Sequence, residues 1–157
     1  MAPSESERMS DSDLIKLYSG RILALAADMP LTEPLDHADG SARKRSPLCG
    51  STVSVQLRME DDRISAYSQD VKACALGQAA ASVVGSNIIG RNRAEVEQAR
   101  DELKAMLKSA GPVPAPPFEG LAVLEPAKDF KNRHASIMLA LDATIEALDA
   151  VEKTVCA

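Results

Sequence analysis

Two cysteines lie in sequence settings that favour accessible sulfur. Cys49 occurs in residues 46–51, SPLCGS, a pattern that predicts a turn before a strand. Cys74 opens residues 74–82, CALGQAAAS, whose small side chains predict a helix that packs closely against its neighbours. A helix N-terminus stabilises the thiolate, which is the form of cysteine that binds metals and attacks sulfur. The pair indicates a protein that handles metal or sulfur, with a buried structural cysteine as the alternative for Cys74.

Three other side chains belong to residue types that bind metals. His134 lies near the start of a predicted helix, where the dipole favours the neutral imidazole that binds metals. His37 lies in a polar loop and Cys156 is the penultimate residue, so neither is expected to be a ligand. An odd number of cysteines, three, argues against a disulfide framework and favours metal binding or catalysis in a reducing compartment.

The composition restricts the class of partner. The net charge of −5 disfavours nonspecific binding to nucleic acid. The short basic run from Arg43 to Arg45 predicts a solvated loop, with docking of an acidic partner as the alternative because the run precedes Cys49. The N-terminus lacks the apolar core of a signal peptide, and no run of about 20 apolar residues could span a bilayer. We expect a cytoplasmic protein that binds neither nucleic acid nor membranes.

The 157 residues suit one domain, residues 1–157, with residues 1–10 as a flexible tail. Apolar residues make up 45% of the chain and aromatic residues only 3%, so aliphatic side chains must fill the core. Ser10 is expected to cap a first helix that continues to about Ala26. Residues 29–47 are rich in proline and polar residues, a composition that predicts a loop. A short strand near Leu35 within this loop is the alternative.

The positions of both cysteines depend on a predicted hairpin. Apolar and polar residues alternate over residues 52–58 and again over residues 63–71, with an acidic turn at residues 60–62. Cys49 enters this hairpin and Cys74 leaves it, so the hairpin can bring the two sulfur atoms to one end of the sheet.

The rest of the chain is predicted to be mainly helical, which gives an α+β domain: an N-terminal helix, a small antiparallel sheet, and helices packed on one face. The predicted elements are a helix over residues 74–88, a helix begun by an Asn92/Glu95 capping box, an extended connector over residues 111–117, a short helical turn at Leu121 to Leu124, and a long C-terminal helix from about Arg133 with Asn132 as its cap.

Three segments together resemble the NifU/IscU-type iron–sulfur cluster assembly scaffold family. They are Cys49-Gly50 before the hairpin, residues 72–82 (KACALGQAAAS) and residues 133–139 (RHASIML). The resemblance covers roughly residues 13–152, and the predicted order of elements agrees with it.

The resemblance implies a scaffold or carrier, not an enzyme, that holds a nascent cluster or a zinc ion at three cysteines, often with an aspartate. Cys49 and Cys74 match the first two cysteines, and Ser51 stands in place of the aspartate. His134 stands in place of the third cysteine. In an alignment shifted by one residue, His134 matches a histidine before that cysteine and Ala135 takes the cysteine's place.

The implied metal and cofactor ligands are therefore Cys49, Cys74 and His134. The fourth ligand is left open between Ser51, Asp129, water and a residue of a partner. This set suits zinc or a [2Fe-2S] iron–sulfur cluster with mixed cysteine and histidine ligation.

The implied partners are a cysteine desulfurase and iron–sulfur acceptor or carrier proteins, and the chain would act as a monomer or homodimer. Two alternatives stay open. The first is a zinc-dependent sulfur acceptor for a cysteine desulfurase, with Cys49 as the persulfide carrier. The second is an interaction module that keeps the fold without binding metal.

Overall fold

The computed structural model describes residues 19–47 and 50–156, with side chains to Lys153. Its order of helices and strands confirms the predicted α+β class. The predicted tail, the Ser10 cap and Cys49 lie outside the described residues. The described elements are helix α1 (Gly20–Ala27), strands β1 (Gly40–Arg45), β2 (Thr52–Glu60) and β3 (Arg63–Lys72), helices α2 (Ala75–Asn87) and α3 (Arg93–Ser109), a 3₁₀ segment (Glu119–Asp129), and helix α4 (Lys131–Cys156).

The predicted hairpin is confirmed. Strands β2 and β3 pair antiparallel, and Thr52 lies opposite Lys72 at the end away from the turn. The turn residues Asp61 and Asp62 both have positive φ, 52° and 63°, which matches the right-handed twist of the flanking strands. Because side chains alternate between the two faces of a strand, Val53, Val55 and Leu57 of β2 all face the core.

The prediction of a loop over the whole of residues 29–47 is wrong. Residues Gly40–Arg45 form strand β1, which pairs antiparallel with β2 at an edge of the sheet. Glycine, serine and charged residues are weak strand formers, so pairing with β2 decides the conformation here. Charged residues on an edge strand also discourage pairing with other chains. The region near Leu35 is irregular rather than a strand.

Helices cover one face of the sheet, as predicted. The most extensive helix contacts are those of α4 with β1 and with α2, and α4 also packs on β2. At Gly40 an added Cβ would lie 2.2 Å from the carbonyl oxygen of Ala147, so α4 passes directly over β1. Tyr67 of β3 lies 2.9 Å from Thr144 of α4, hydroxyl to hydroxyl, which ties the sheet to the helix inside the core.

The helix boundaries agree with the sequence except at α1 and α4. Helix α1 begins at Gly20 with Ser19 as its N-cap, so the prediction of one helix continuing from Ser10 to about Ala26 is wrong. The Asn92/Glu95 capping box is present at the start of α3. Helix α4 already begins at Lys131, so the prediction of Asn132 as its cap is wrong; Asn132 lies in the first turn. The turn predicted at Leu121 to Leu124 is part of the longer 3₁₀ segment. In the described part of the chain, no helix combines the length and apolarity needed to cross a membrane.

Candidate functional site

The candidate site lies at the end of the sheet where β2 begins and β3 ends. The Thr52–Lys72 pair closes the ladder at this end. Ser51 directly precedes β2, and Cys74 follows β3 by two residues and is the N-cap of α2. The segments that carry Cys49 and Cys74 therefore meet at one end of the sheet, although Cys49 itself lies outside the described residues.

Two backbone hydrogen bonds hold the ends of the segment that carries Cys49. The amide of Ser46 donates to the carbonyl of Ser51 at 2.8 Å, and the amide of Gly50 donates to the carbonyl of Ser46 at 2.9 Å. Gly50 has φ of +70°, a conformation that glycine adopts without steric cost. Ser46 and Ser51 are both buried, so the segment is anchored in the protein on either side of Cys49.

Cys74 is half-buried at the N-terminus of α2. Its carbonyl accepts a hydrogen bond from the Gln78 amide at 2.9 Å, which begins the helix. Its side chain makes no capping hydrogen bond to the helix and is a free thiol. The Sγ atom instead lies 3.5 Å from the hydroxyl oxygen of Ser136 on α4.

Ser136 also contacts the segment that carries Cys49. Its Oγ donates a hydrogen bond to Ser51 Oγ at 3.2 Å, and Ser136 is only 1% exposed. This contact is not predicted from the sequence, in which Ser136 is only a small residue of the RHASIML segment. A hydroxyl on a largely buried helix indicates that Ser136 has a hydrogen-bond partner, but the local sequence does not identify that partner.

The close approach of α2 and α4 at this point depends on Gly77. A Cβ added to Gly77 would lie 2.6 Å from Ser136 Oγ and 2.9 Å from the Cβ of Ala73. Both distances are shorter than nonbonded atoms normally permit. The small residue at position 77 thus allows Ser136 to reach Cys74.

His134, on α4, is buried with one ring nitrogen already bonded. Its Nε2 lies 2.9 Å from the carbonyl oxygen of Ala127, and the residue is 3% exposed. Because a carbonyl oxygen can only accept, Nε2 carries a proton, which leaves the lone pair of a neutral ring on Nδ1. Metal-binding histidines commonly have such a second hydrogen bond, and so do histidines with a purely structural role.

The helix geometry separates His134 from Ser136. Residues two apart in an α-helix point about 200° away from each other around the axis. Ser136 is the residue in contact with Cys74, whereas His134 contacts the end of the 3₁₀ segment. Asp129 and His37 are both exposed. Among the described residues, no three His, Cys, Asp or Glu side chains are grouped closely enough to hold a metal ion.

Comparison with solved structures identifies the family. A crystal structure of a nitrogen-fixing NifU-like protein (N-terminal) from Brucella abortus superposes on this chain with a TM-score of 0.87, at 40% sequence identity. The match covers 90% of this chain and 98% of the Brucella chain. The chain belongs to the NifU/IscU-type family. No protein-family model and no curated protein matches it.

Two more distant structures share the NifU/IscU-type fold. One is a putative iron–sulfur cluster assembly scaffold protein for the SUF system from Fervidobacterium islandicum AW-1, with a TM-score of 0.75, 18% identity, and coverage of 85% of this chain and 98% of that chain. The other is a hypothetical protein with a TM-score of 0.71, 20% identity, and coverage of 86% and 98%. The NifU/IscU-type resemblance predicted from the sequence is confirmed.

Proposed function

We propose that this chain is a scaffold for iron–sulfur cluster assembly rather than an enzyme, with Cys49, Cys74 and His134 as protein ligands of the cluster. The observation that carries the proposal is the meeting of the two cysteine-bearing segments at one end of the sheet, in a chain of the NifU/IscU-type family. The description of the Fervidobacterium protein as a putative scaffold supports the same role.

The donor atoms suit the proposed cargo. Two thiolates and an imidazole form a ligand set compatible with a [2Fe-2S] cluster or with zinc. His134 would bind through Nδ1, since Nε2 donates to Ala127. Ser51 is the candidate for a fourth ligand within the chain, because its hydroxyl is in contact with Ser136 and hence with the Cys74 side of the site.

We further propose that a cysteine desulfurase and iron–sulfur acceptor proteins bind the same end of the sheet, in the cytoplasm, with the chain as a monomer or homodimer. Arg45, Thr52 and Lys72 lie opposite one another on the three strands, so their side chains share one face. Arg43, Arg45 and Lys72 are exposed, and none forms an ion pair with another described residue. These cations suit an acidic surface on the partner.

Anaerobic reconstitution with iron and sulfide tests the scaffold proposal. We expect the wild-type protein to develop the visible absorption of an iron–sulfur cluster and Cys49→Ala and Cys74→Ala to lose it, because each removes a thiolate ligand. Cys156→Ala removes the remaining cysteine and serves as the matched control, with absorption and iron content unchanged. Unchanged iron content and absorption in both ligand variants would show that the cysteine assignment is wrong.

A zinc-dependent sulfur acceptor is the second candidate function. The hydroxyl groups of Ser136 and Ser51 on the Cys74 side of the site favour it, since zinc accepts mixed sulfur and oxygen ligands. The protein would be incubated with a cysteine desulfurase and cysteine and then analysed by mass spectrometry. This function predicts an added sulfur atom on Cys49, and an unmodified Cys49 peptide contradicts it. Metal analysis of freshly purified protein separates both functions from a metal-free interaction module.

A further inference from the structure

A groove of about 610 Å³ lies at the end of the sheet opposite the candidate site. Its walls are the hairpin turn at Asp61 and Asp62, the first turn of α3 and the C-terminal half of α4 around Val151, and we call it the distal groove. Strand β2 spans nine residues, so roughly 25 Å separates the groove from the Thr52 end of the sheet. A molecule bound in the distal groove therefore leaves the candidate site accessible.

The floor of the distal groove is an uncovered extension of the core. Leu148 and Val151 of α4 line it together with Met59 of β2. Leu148 is buried, whereas Met59 and Val151 are only half-buried although they pack against the core. Because covering exposed aliphatic carbon is favourable, the floor favours an apolar side chain of a ligand.

The rim of the distal groove is acidic. Asp61 and Asp62 are exposed, and neither forms an ion pair with another described residue. Glu152 is exposed as well. Arg93, the basic residue among the described residues of the lining, is already paired with Asp149 and Glu152 of α4. The rim therefore attracts a cation and repels an anion.

Contacts between the walls give the groove its shape before any ligand binds. Arg93 joins the start of α3 to α4 through its ion pairs. Arg63 joins β3 to the start of α3, because its guanidinium donates to the Gly90 carbonyl at 2.8 Å and to the Glu95 carboxylate at 3.1 Å. Arg63 and Asn92 also pair as an isolated β-bridge. A preformed groove loses little conformational freedom when it binds a ligand.

We propose that the distal groove docks a basic, amphipathic segment of a partner protein. One apolar side chain of that segment would cover Met59 and Val151, and its lysine or arginine side chains would lie beside Asp61 and Asp62. Charge complementarity selects this occupant, since an acidic segment is repelled by the rim and a purely polar segment leaves the floor exposed. The chain thus has a second docking surface, which a partner can occupy while the cluster site serves other proteins.

Titration of the full chain with a synthetic peptide tests the docking. The probe is an amphipathic peptide of lysine, leucine and alanine, followed through the amide NMR signals of isotope-labelled protein. We expect the largest shift changes at residues 59–62, at residues 92–94 and near Val151. A peptide with glutamate in place of lysine, and one with serine in place of leucine, should each bind at least about tenfold more weakly, because each lacks one half of the recognition.

Removing the two unpaired charges tests the rim. Asp61→Asn combined with Asp62→Asn keeps a residue type that tolerates positive φ and should weaken binding roughly two- to tenfold at low salt. Glu33→Gln combined with Asp36→Asn is the matched control, because it removes two charges at exposed positions before β1. The control should bind the lysine and leucine peptide as the wild type does.

Enlarging one exposed side chain tests the cavity. Ala94 is exposed in the first turn of α3 and lines the groove, so Ala94→Phe should fill part of it and weaken binding about tenfold. Ala24→Phe adds the same ring at an exposed position of α1 and should leave binding unchanged. Unfolding midpoints verify that both variants are folded.

Equal affinity of the wild type for the lysine and glutamate peptides, or for the leucine and serine peptides, overturns the proposal without the need for any variant. Absence of saturable binding, or shift changes confined to residues outside the groove, overturns it as well. Self-association of peptide-free protein that shifts the same signals would assign the groove to a second copy of this chain instead. The titration contains neither iron nor sulfide, so its result does not depend on cluster assembly.

Discussion

The proton on His134 decides what this residue can do. Its Nε2–H donates to the buried carbonyl of Ala127, so the histidine fastens the end of the 3₁₀ segment to α4 whether or not a metal is bound. A role as ligand would use the opposite ring nitrogen. The structural and ligand roles therefore differ in one measurable quantity, the stabilisation of the protein by added metal.

His134→Ala should lower the free energy of unfolding of metal-free protein by about 1–3 kcal/mol, because the Ala127 carbonyl loses its buried donor. If His134 is also a ligand, the extra stability given by zinc should fall as well. Urea unfolding with and without zinc measures both effects. His37→Ala, at an exposed position, should change neither. Full zinc stabilisation in His134→Ala would leave His134 with the structural role only.

At the scale of elements, the packing of α2 on α4 explains why α2 consists of small residues. Its amphipathic character is weak because nearly every position from Leu76 to Gly85 is buried. Because the side chains of α2 are small, its N-terminus lies close enough to α4 for Cys74 to contact Ser136. Gly77 is the position at which this requirement is most stringent.

Gly77→Ala should therefore destabilise the protein by about 1–3 kcal/mol, despite the better helix propensity of alanine, because the added methyl group overlaps Ser136. Gly20→Ala is the matched control, since Gly20 also lies in a helix and nothing is within 4 Å of its added Cβ. Thermal unfolding of the two variants makes the comparison. Equal midpoints would contradict the close packing at Gly77.

Arg43 and Arg45 on the exposed face of β1 belong to the surface proposed to bind the desulfurase. Arg43→Glu combined with Arg45→Glu should weaken binding to a cysteine desulfurase about tenfold or more at low salt, and less at high salt, because charge steering is screened. Lys108→Glu combined with Lys153→Glu makes the same change in net charge elsewhere. Calorimetric titration of both double variants tests the docking face. Equal losses would indicate a general charge effect.

The sequence predicts elements whose local patterns agree with their tertiary environment. The hairpin and the Asn92/Glu95 capping box are of this kind, since alternation and capping depend on neighbours along the chain. Strand β1 could not be predicted, because Gly40–Arg45 is extended through pairing with β2 rather than through its own propensity. The contact of Ser136 with Cys74 joins residues 62 positions apart and depends on Gly77, so no local pattern contains it.

At the scale of the whole molecule, the sheet and the C-terminal helix are joined by one buried hydroxyl pair. Thr144 donates to the Ala140 carbonyl at 2.7 Å, so in its contact with Thr144 the Tyr67 hydroxyl is the donor. Burial raises the pKa of Tyr67 well above its ordinary value. The folded protein therefore favours the protonated tyrosine.

A raised pKa in the folded state gives stability that is complete below the unfolded pKa of about 10 and is lost as the pH rises above it. We expect the wild type to lose up to about 1.4 kcal/mol more per pH unit than Tyr67→Phe over this alkaline range. Urea unfolding between roughly pH 8 and 11.5, a range that spans the ordinary pKa of tyrosine, provides the measurement. Tyr18→Phe, which changes the other tyrosine, should keep the wild-type slope. Parallel profiles for the wild type and Tyr67→Phe would contradict the prediction.

The contacts of α4 also set an order of events during synthesis. Both cysteines leave the ribosome before Ser136, which follows Cys74 by 62 residues (136 − 74). At ordinary rates of translation this interval is roughly 3–12 seconds. During that time the nascent chain carries both thiols without the helix that packs against Cys74 in the finished protein. Completion of α4 is thus the step that gives Cys74 its contact with Ser136.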